Sequence, residues 1–183
     1  LAINKLLLVI VFPFFLFLLV FSYEILKIFG NDFSEYAIIL QILIFGVYVD
    51  AITGPIGEIL NMSSNEAVEK NINIFATILN IILLFVLTYS YGVIGAAISF
   101  SASRALANIF KLFFTNKILN IKTLDSTHLK VFVIHCISVI PFFFISSMTI
   151  KIGIFFLVIP GTLLTAKVFN WINYEEFETI KNI

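Results

Sequence analysis

Two charged side chains occupy positions where hydrocarbon is expected to surround them. Arg104 lies in an apolar run from Gly92 to Phe114, about thirteen residues before Lys117, which is about 20 Å along a helix at ~1.5 Å per residue. Asp50 lies about fourteen residues into a second apolar stretch, Tyr36 to Leu60. An arginine near the bilayer centre costs about 2.5–3.5 kcal/mol on insertion scales, and a strongly apolar residue returns roughly 0.3–0.6 kcal/mol. About eleven such residues, among them Val93, Ile94, Ile98, Phe100, Leu106, Ile109 and Phe113, offset the one arginine. The segment therefore inserts, with its guanidinium turned from lipid toward protein or water. A guanidinium held there grips a carboxylate or a phosphate in two-pronged fashion. Three uses are open for Arg104: a cavity cation for an anionic substrate, a structural pair with Asp50, or a side chain snorkelling to the interface. Asp50 is either that partner or a carboxylate contacting a substrate or coupling ion. Arg104 and Asp50 are the candidate substrate-binding residues.

The remaining polar positions are less specific. Glu58, two turns beyond Asp50, is expected to reach the membrane surface and be solvated. Thr53-Gly54-Pro55-Ile56-Gly57 lies between them; the proline removes a helical hydrogen bond, so a gating kink or a static bend is expected. Small residues recur every four positions through Gly92, Ala96, Gly95, Ser99, Ser103 and Ala107, a pattern that favours close helix packing. His135 reads as a hydrogen-bonded core histidine rather than a proton relay, His128 as a loop residue, and Asn80 as an interhelical hydrogen-bonding group. Pro13, Pro141 and Pro160 mark bends. Asn61-Met62-Ser63 matches a glycosylation triplet but falls on the side expected to face the cytoplasm. There is no Ser/His/Asp grouping, no metal-ligand cluster and no phosphate-cradling glycine loop. No enzymatic activity, metal or cofactor is expected.

The elements that must carry these residues are membrane helices. Of 183 residues, 61% are hydrophobic and only 12% charged, against roughly 25% charged in a soluble domain; an all-α integral membrane fold follows. Eleven basic side chains balance eleven acidic ones, so no net field draws a nucleic acid. Spans of about 20 residues are expected at Leu6–Phe29, Tyr36–Leu60, Asn71–Tyr89, Gly92–Phe114, Val131–Met148 and Ile152–Phe169, a bundle of about six. Lys5, Lys70, Lys111, Lys117, Lys122, Lys130, Lys167 and Lys181 fall toward one face, and Lys27 and Lys151 toward the other. The positive-inside rule then places both ends in the cytoplasm. The connections are too short for an extramembranous domain. The tail Asn173–Ile183 spaces acidic and apolar residues as a short surface helix would, fraying into solvent being the other reading. Leu1 follows no cleavable signal, and the chain reads as a piece whose upstream part is missing.

Three stretches carry a family likeness. Ile28-Phe29-Gly30-Asn31-Asp32-Phe33-Ser34-Glu35-Tyr36-Ala37, following the helix with Pro13, resembles a Phe-Gly-x-x-aromatic-x-x-x-Ala step. Leu40-Gln41-Ile42-Leu43 resembles its Leu-x-Ile-Leu continuation. Asn80 followed by Tyr91-Gly92-Val93-Ile94-Gly95-Ala96-Ala97 resembles an Asn…Tyr-Gly-x-x-Gly-Ala-Ala signature. In this order they resemble the C-terminal half of polysaccharide flippases (O-antigen or capsule type) of the multidrug/oligosaccharidyl-lipid/polysaccharide exporter superfamily. The likeness covers about residues 5 to 120. Thr88-Tyr89-Ser90 stands where the family often has Ile-Pro, and Ser63-Ser64-Asn65-Glu66 where its turn usually carries a Gly near a Lys, which loosens the subfamily assignment.

The resemblance implies four helices over 1–120, two more over 121–172 and a cytoplasmic tail at 173–183, the six being spans nine to fourteen of a larger exporter. It further implies a bacterial inner-membrane protein that works by alternating access with an N-terminal lobe of the same chain. Its implied partners are membrane lipid and a polyprenyl-pyrophosphate-linked oligosaccharide. A drug/cation antiporter or peptidoglycan-precursor flippase of the same superfamily, and a membrane assembly subunit without transport, are the competing expectations.

Overall fold

The computed structural model describes residues 2–120, 126–145 and 147–168, with side chains from Leu7 to Asn120 except Val9 and from Lys130 to Gly161 except Phe143 and Ser146. Among them every regular element is helical: α1 (Ala2–Val20), α2 (Ser22–Ile28), a 3-10 helix (Asn31–Tyr36), α3 (Ala37–Thr53), α4 (Ile56–Met62), α5 (Glu66–Leu119), α6 (Ser126–Phe144) and α7 (Met148–Val168). The tail 173–183 and the loop 121–125 lie outside the described residues. By length and composition, Asn31–Thr53 and Glu66–Leu119 are each able to cross a membrane, and the bent pair α1–α2 is a third candidate. Two shorter apolar helices, Lys130–Phe142 and Met148–Gly161, follow. His128, expected in a loop, lies within α6.

α5 is not one straight rod. At about 1.5 Å per residue, 54 residues would extend about 80 Å, more than twice a bilayer core of ~30 Å. At Gly92 the backbone takes φ 58° and ψ −138°, a left-handed region that glycine enters without the Cβ penalty. The two arms, 66–91 and 93–119, double back from that point. Lys111 Nζ lies 3.1 Å from Glu69 Oε1, and the Phe75 and Phe110 rings meet edge-on at 5.6 Å. Each pair would be more than 50 Å apart on an unbroken helix. A Cβ at Gly95 would overlap the Leu87 carbonyl, so the arms touch backbone to backbone near the turn. The two arms cover the residues expected to form the third and fourth spans.

The second arm packs on α3 in the same manner. A Cβ on Gly46 would come within 2.7–2.8 Å of Ser101 Cβ, Oγ and Cα, and the Ser101 hydroxyl donates to the Ile42 carbonyl at 2.9 Å. Gly95, Ser99, Ser103 and Ala107 are all buried, which is the tight packing expected of the small-residue stripe. In a membrane, where lipid is as apolar as leucine, such close contact and interhelical hydrogen bonds hold helices together.

An aromatic core joins α1, α3 and α6. The His135 ring stacks on Phe12 at 3.6 Å and Phe15 on Tyr48 at 4.0 Å, while Tyr48 Oη and His135 Nδ1 share a hydrogen bond of 2.9 Å. His135 is thus the core histidine that its position suggested. Phe155 of α7 packs on Phe17 and Phe21 of α1, so Lys151, one turn earlier, lies toward the same end of the bundle as Lys27. That agrees with the sequence partition of the lysines.

The sharp bend of the first span differs from expectation. Pro13 lies inside α1; the 69° bend separates Ile10–Val20 from Ser22–Ile28, at Phe21. Side-chain hydrogen bonds converge on the bend, beside backbone bonds that persist from Phe21 N–H to the Phe17 carbonyl and from Ile25 N–H to the Phe21 carbonyl. Ser22 Oγ donates to the Leu19 carbonyl at 3.2 Å. Gln41 Nε2, reaching across from α3, donates to that carbonyl at 3.2 Å and to Ser22 Oγ at 2.9 Å. Polar groups left by a broken membrane helix must find such partners.

Candidate functional site: a polar groove

Gly46 and Ser101 set the separation at which Asp50 and Arg104 face each other. Asp50 follows Gly46 by one helical turn on α3, and Arg104 follows Ser101 by nearly one turn on α5. Arg104 Nε donates to Asp50 Oδ2 at 3.0 Å and Nη2 donates to the same oxygen. The other carboxylate oxygen, Oδ1, accepts from Asn108 Nδ2 at 2.7 Å. The guanidinium carbon also lies 5.8 Å from the Phe100 ring centre. Arg104 is twelve residues from the Gly92 break, about 18 Å along the arm and near its middle. The pair is not sealed: the side chains retain 43% and 35% of their accessible surface.

α3 ends just past this pair. Gly54, at φ 74° and ψ −167°, leaves the helix, Pro55 follows, and the half-helix α4 restarts at Ile56. Beyond the break lies a second pair. Glu69 Oε1 accepts from Lys111 Nζ at 3.1 Å and from Asn73 Nδ2 at 2.6 Å. A Cβ on Gly57 would meet Glu69 Oε1 at 3.2 Å and Lys111 Nζ at 3.5 Å. The start of α4 is therefore seated directly on this pair.

Two cavities open beside these residues. One of about 520 Å³ runs past Asp50, Gly54, Glu58, Asn61, Glu69 and Lys111. The other, of about 340 Å³, lies between the arms of α5 along Asn73, Thr77, Asn80, Phe100 and Ser103. Asp50, Arg104, Asn108 and Lys111 line both. Asn80 departs from expectation: its Oδ1 is buried without a hydrogen-bond partner on the cavity wall rather than bonded to another helix. Glu58 is exposed on the wall of the larger cavity, with no ion pair among the described residues. No cluster of three or more metal-ligating side chains occurs among the described residues.

The two residues singled out by sequence are thus brought together, and others join them. Asn108, Lys111, Glu69, Asn73 and Thr77 were not candidates. The signal that could have found them is helical spacing. Arg104, Asn108 and Lys111 fall at i, i+4 and i+7 of one arm, and Asn73, Thr77 and Asn80 at i, i+4 and i+7 of the other, each a single polar face. Chemically the groove offers one guanidinium, one ammonium, several amides and three carboxylates around open space between apolar helices.

Comparison with known proteins adds one likeness. Over 114 residues, 62% of this chain, the sequence is 29% identical to a protein of Haloferax volcanii described as "Probable low-salt glycan biosynthesis flippase Agl15". The chain is similar to a glycan flippase. It spans about a quarter (24%) of that relative's length. No family model matches the sequence, and no solved structure matches it. Together with the apolar helices, the likeness supports a membrane protein of flippase-like type. The relative is archaeal, so the bacterial inner membrane and an O-antigen or capsule product rest on the sequence motifs alone.

Proposed function

We propose that this chain is part of a flippase that carries a lipid-linked oligosaccharide across the membrane by alternating access, without covalent chemistry. The observation that carries the reading is Arg104: a partly exposed cation in the middle of an apolar helical arm, on the wall of a polar groove. A pyrophosphate-sugar head group can cross hydrocarbon only if fixed cations and dipoles replace the water around its charge. Its polyprenyl tail needs no such path and stays in lipid. In this reading the two arms of α5 count as separate spans, α1–α2 and α3–α4 as one each, and α6 and α7 complete six. The lysine-rich end faces the cytoplasm, and a second lobe closes the groove. The Gly54–Pro55 break lets α4 move relative to α3.

A second reading is favoured by one specific observation: the groove carries three carboxylates, Asp50, Glu58 and Glu69, against two cations. That balance suits a drug/cation antiporter of the same superfamily. The experiment that separates the readings is transport by Arg104→Ala in the intact protein. The flippase reading expects transport of lipid-linked oligosaccharide to be lost while the protein still inserts, with Arg104→Lys recovering part because charge remains without two-pronged geometry. Unimpaired transport by Arg104→Ala removes the assignment.

A further inference from the structure

Each cation of the groove is already occupied by a carboxylate of the same chain. Arg104 is taken up by Asp50 and Lys111 by Glu69, and both pairs stand where the two cavities meet. As it stands, then, the groove has no free positive charge to attract an anion, and Glu58 adds one negative charge. A binding site for a pyrophosphate arranged this way works only if the internal carboxylates give way. We propose that Asp50 and Glu69 are internal surrogates for the ligand's anion, holding Arg104 and Lys111 in the empty carrier and releasing them to an incoming diphosphate. This rests on the reading of the groove as a head-group path.

The geometry supports exchange rather than a permanent lock. Asp50 presents one oxygen to both Nε and Nη2 of Arg104, the fork that a phosphate oxygen also fits. The Arg104–Asp50 pair keeps a third or more of its surface accessible, so an anion can approach it without burying an uncompensated charge at any intermediate stage, whereas Lys111 and Glu69 keep 14% and 19% and are the less accessible pair. Asn108 holds the other oxygen of Asp50 and keeps that carboxylate on the wall once the arginine has left it. The carboxylates also serve the return step. An empty carrier whose guanidinium had no partner would expose a bare cation at mid-span, which is costly; re-forming the Asp50–Arg104 pair removes that cost and expels the product. Asp50 and Glu69 are therefore positioning residues: they set affinity and return rate through the cations they hold.

The test is binding and transport by the intact protein in lipid nanodiscs and proteoliposomes, with farnesyl pyrophosphate and inorganic pyrophosphate as probes. Asp50→Asn and Glu69→Gln remove the internal competitor but keep side-chain shape. Each is expected to tighten probe binding about threefold to fivefold, the scale of a partly exposed ion pair, and to slow net transport of lipid-linked oligosaccharide. Arg104→Ala is expected to lose binding. If Arg104→Ala loses binding but Asp50→Asn and Glu69→Gln weaken it or leave it unchanged, the carboxylates are structural and the exchange is overturned, while the groove reading survives. If Arg104→Ala binds as the wild type does, the groove reading itself fails. Should Asp50→Asn not insert, Glu69→Gln, on the other pair, decides the sign by itself.

Discussion

Gly46→Ala is the smallest change that should disturb the groove without touching a charged residue. The added Cβ would come within 2.8 Å of the Cβ, Oγ and Cα of Ser101, and the Cα cannot rotate away. Either the helices separate by several tenths of an ångström or Ser101 shifts along its arm. Overpacking of this kind costs about 1–3 kcal/mol, and the Ser101–Ile42 hydrogen bond of 2.9 Å, worth about 0.6 kcal/mol in a membrane, stretches with it. Because Asp50 and Arg104 lie one turn further along the same two helices, their contact lengthens too. The assay is a double-mutant cycle with Ser101→Gly, read by reversible unfolding in mixed micelles. Ser101→Gly alone loses the hydrogen bond and adds helix-interior glycine, roughly 1–1.5 kcal/mol together. In combination it removes the side-chain atoms that the methyl added at position 46 would strike. The contact with Ser101 Cα remains, so the double variant should be less destabilised than the sum of the singles by about 1 kcal/mol, part of the overpacking cost, where distant sites would add within ~0.5 kcal/mol. A Gly46→Ala cost below about 0.5 kcal/mol, or strict additivity, would refute the close approach of α3 and α5.

Two further outcomes follow from the packing. Gly92→Val has open space around its Cβ, so its cost is backbone strain alone, about 1–3 kcal/mol for a side chain forced into φ 58°; thermal unfolding should show it, and an unchanged midpoint would mean that the arms of α5 do not turn there. Tyr48→Phe leaves the buried His135 Nδ1 without its partner and should cost about 0.6–1.7 kcal/mol, whereas a neutral effect would mean that the pair does not tether α6 to α3.

Helices, the break at Gly54–Pro55 and the small-residue face were legible because each is written locally, whereas the meeting of Asp50 with Arg104, 54 positions apart, was one of three readings that their charges in apolar runs left open. A run of apolar residues, a proline or a mid-span charge has a physical consequence wherever its neighbours lie. The rest depended on what is brought alongside. Glu69 and Lys111 are 42 positions apart and each looked like an ordinary surface charge, since nothing local says that the arms of α5 fold flat against each other. The bend at Phe21 was hidden for the same reason: Pro13 is the visible breaker, but the bonds that stabilise the real break come from Gln41 on another helix. Asn80 looked like interhelical glue and faces a cavity instead, because Gly95 and Ser101, not the asparagine, bring the backbones together.

If Arg104 carries an anionic head group through the groove, its loss is read in the rate at which proteoliposomes holding the intact protein move a fluorescent lipid-linked oligosaccharide from one leaflet to the other. With wild type and Arg104→Ala inserted in equal amounts, rapid movement is expected for the first and the protein-free background rate for the second. Equal rates for the two proteins would contradict that role.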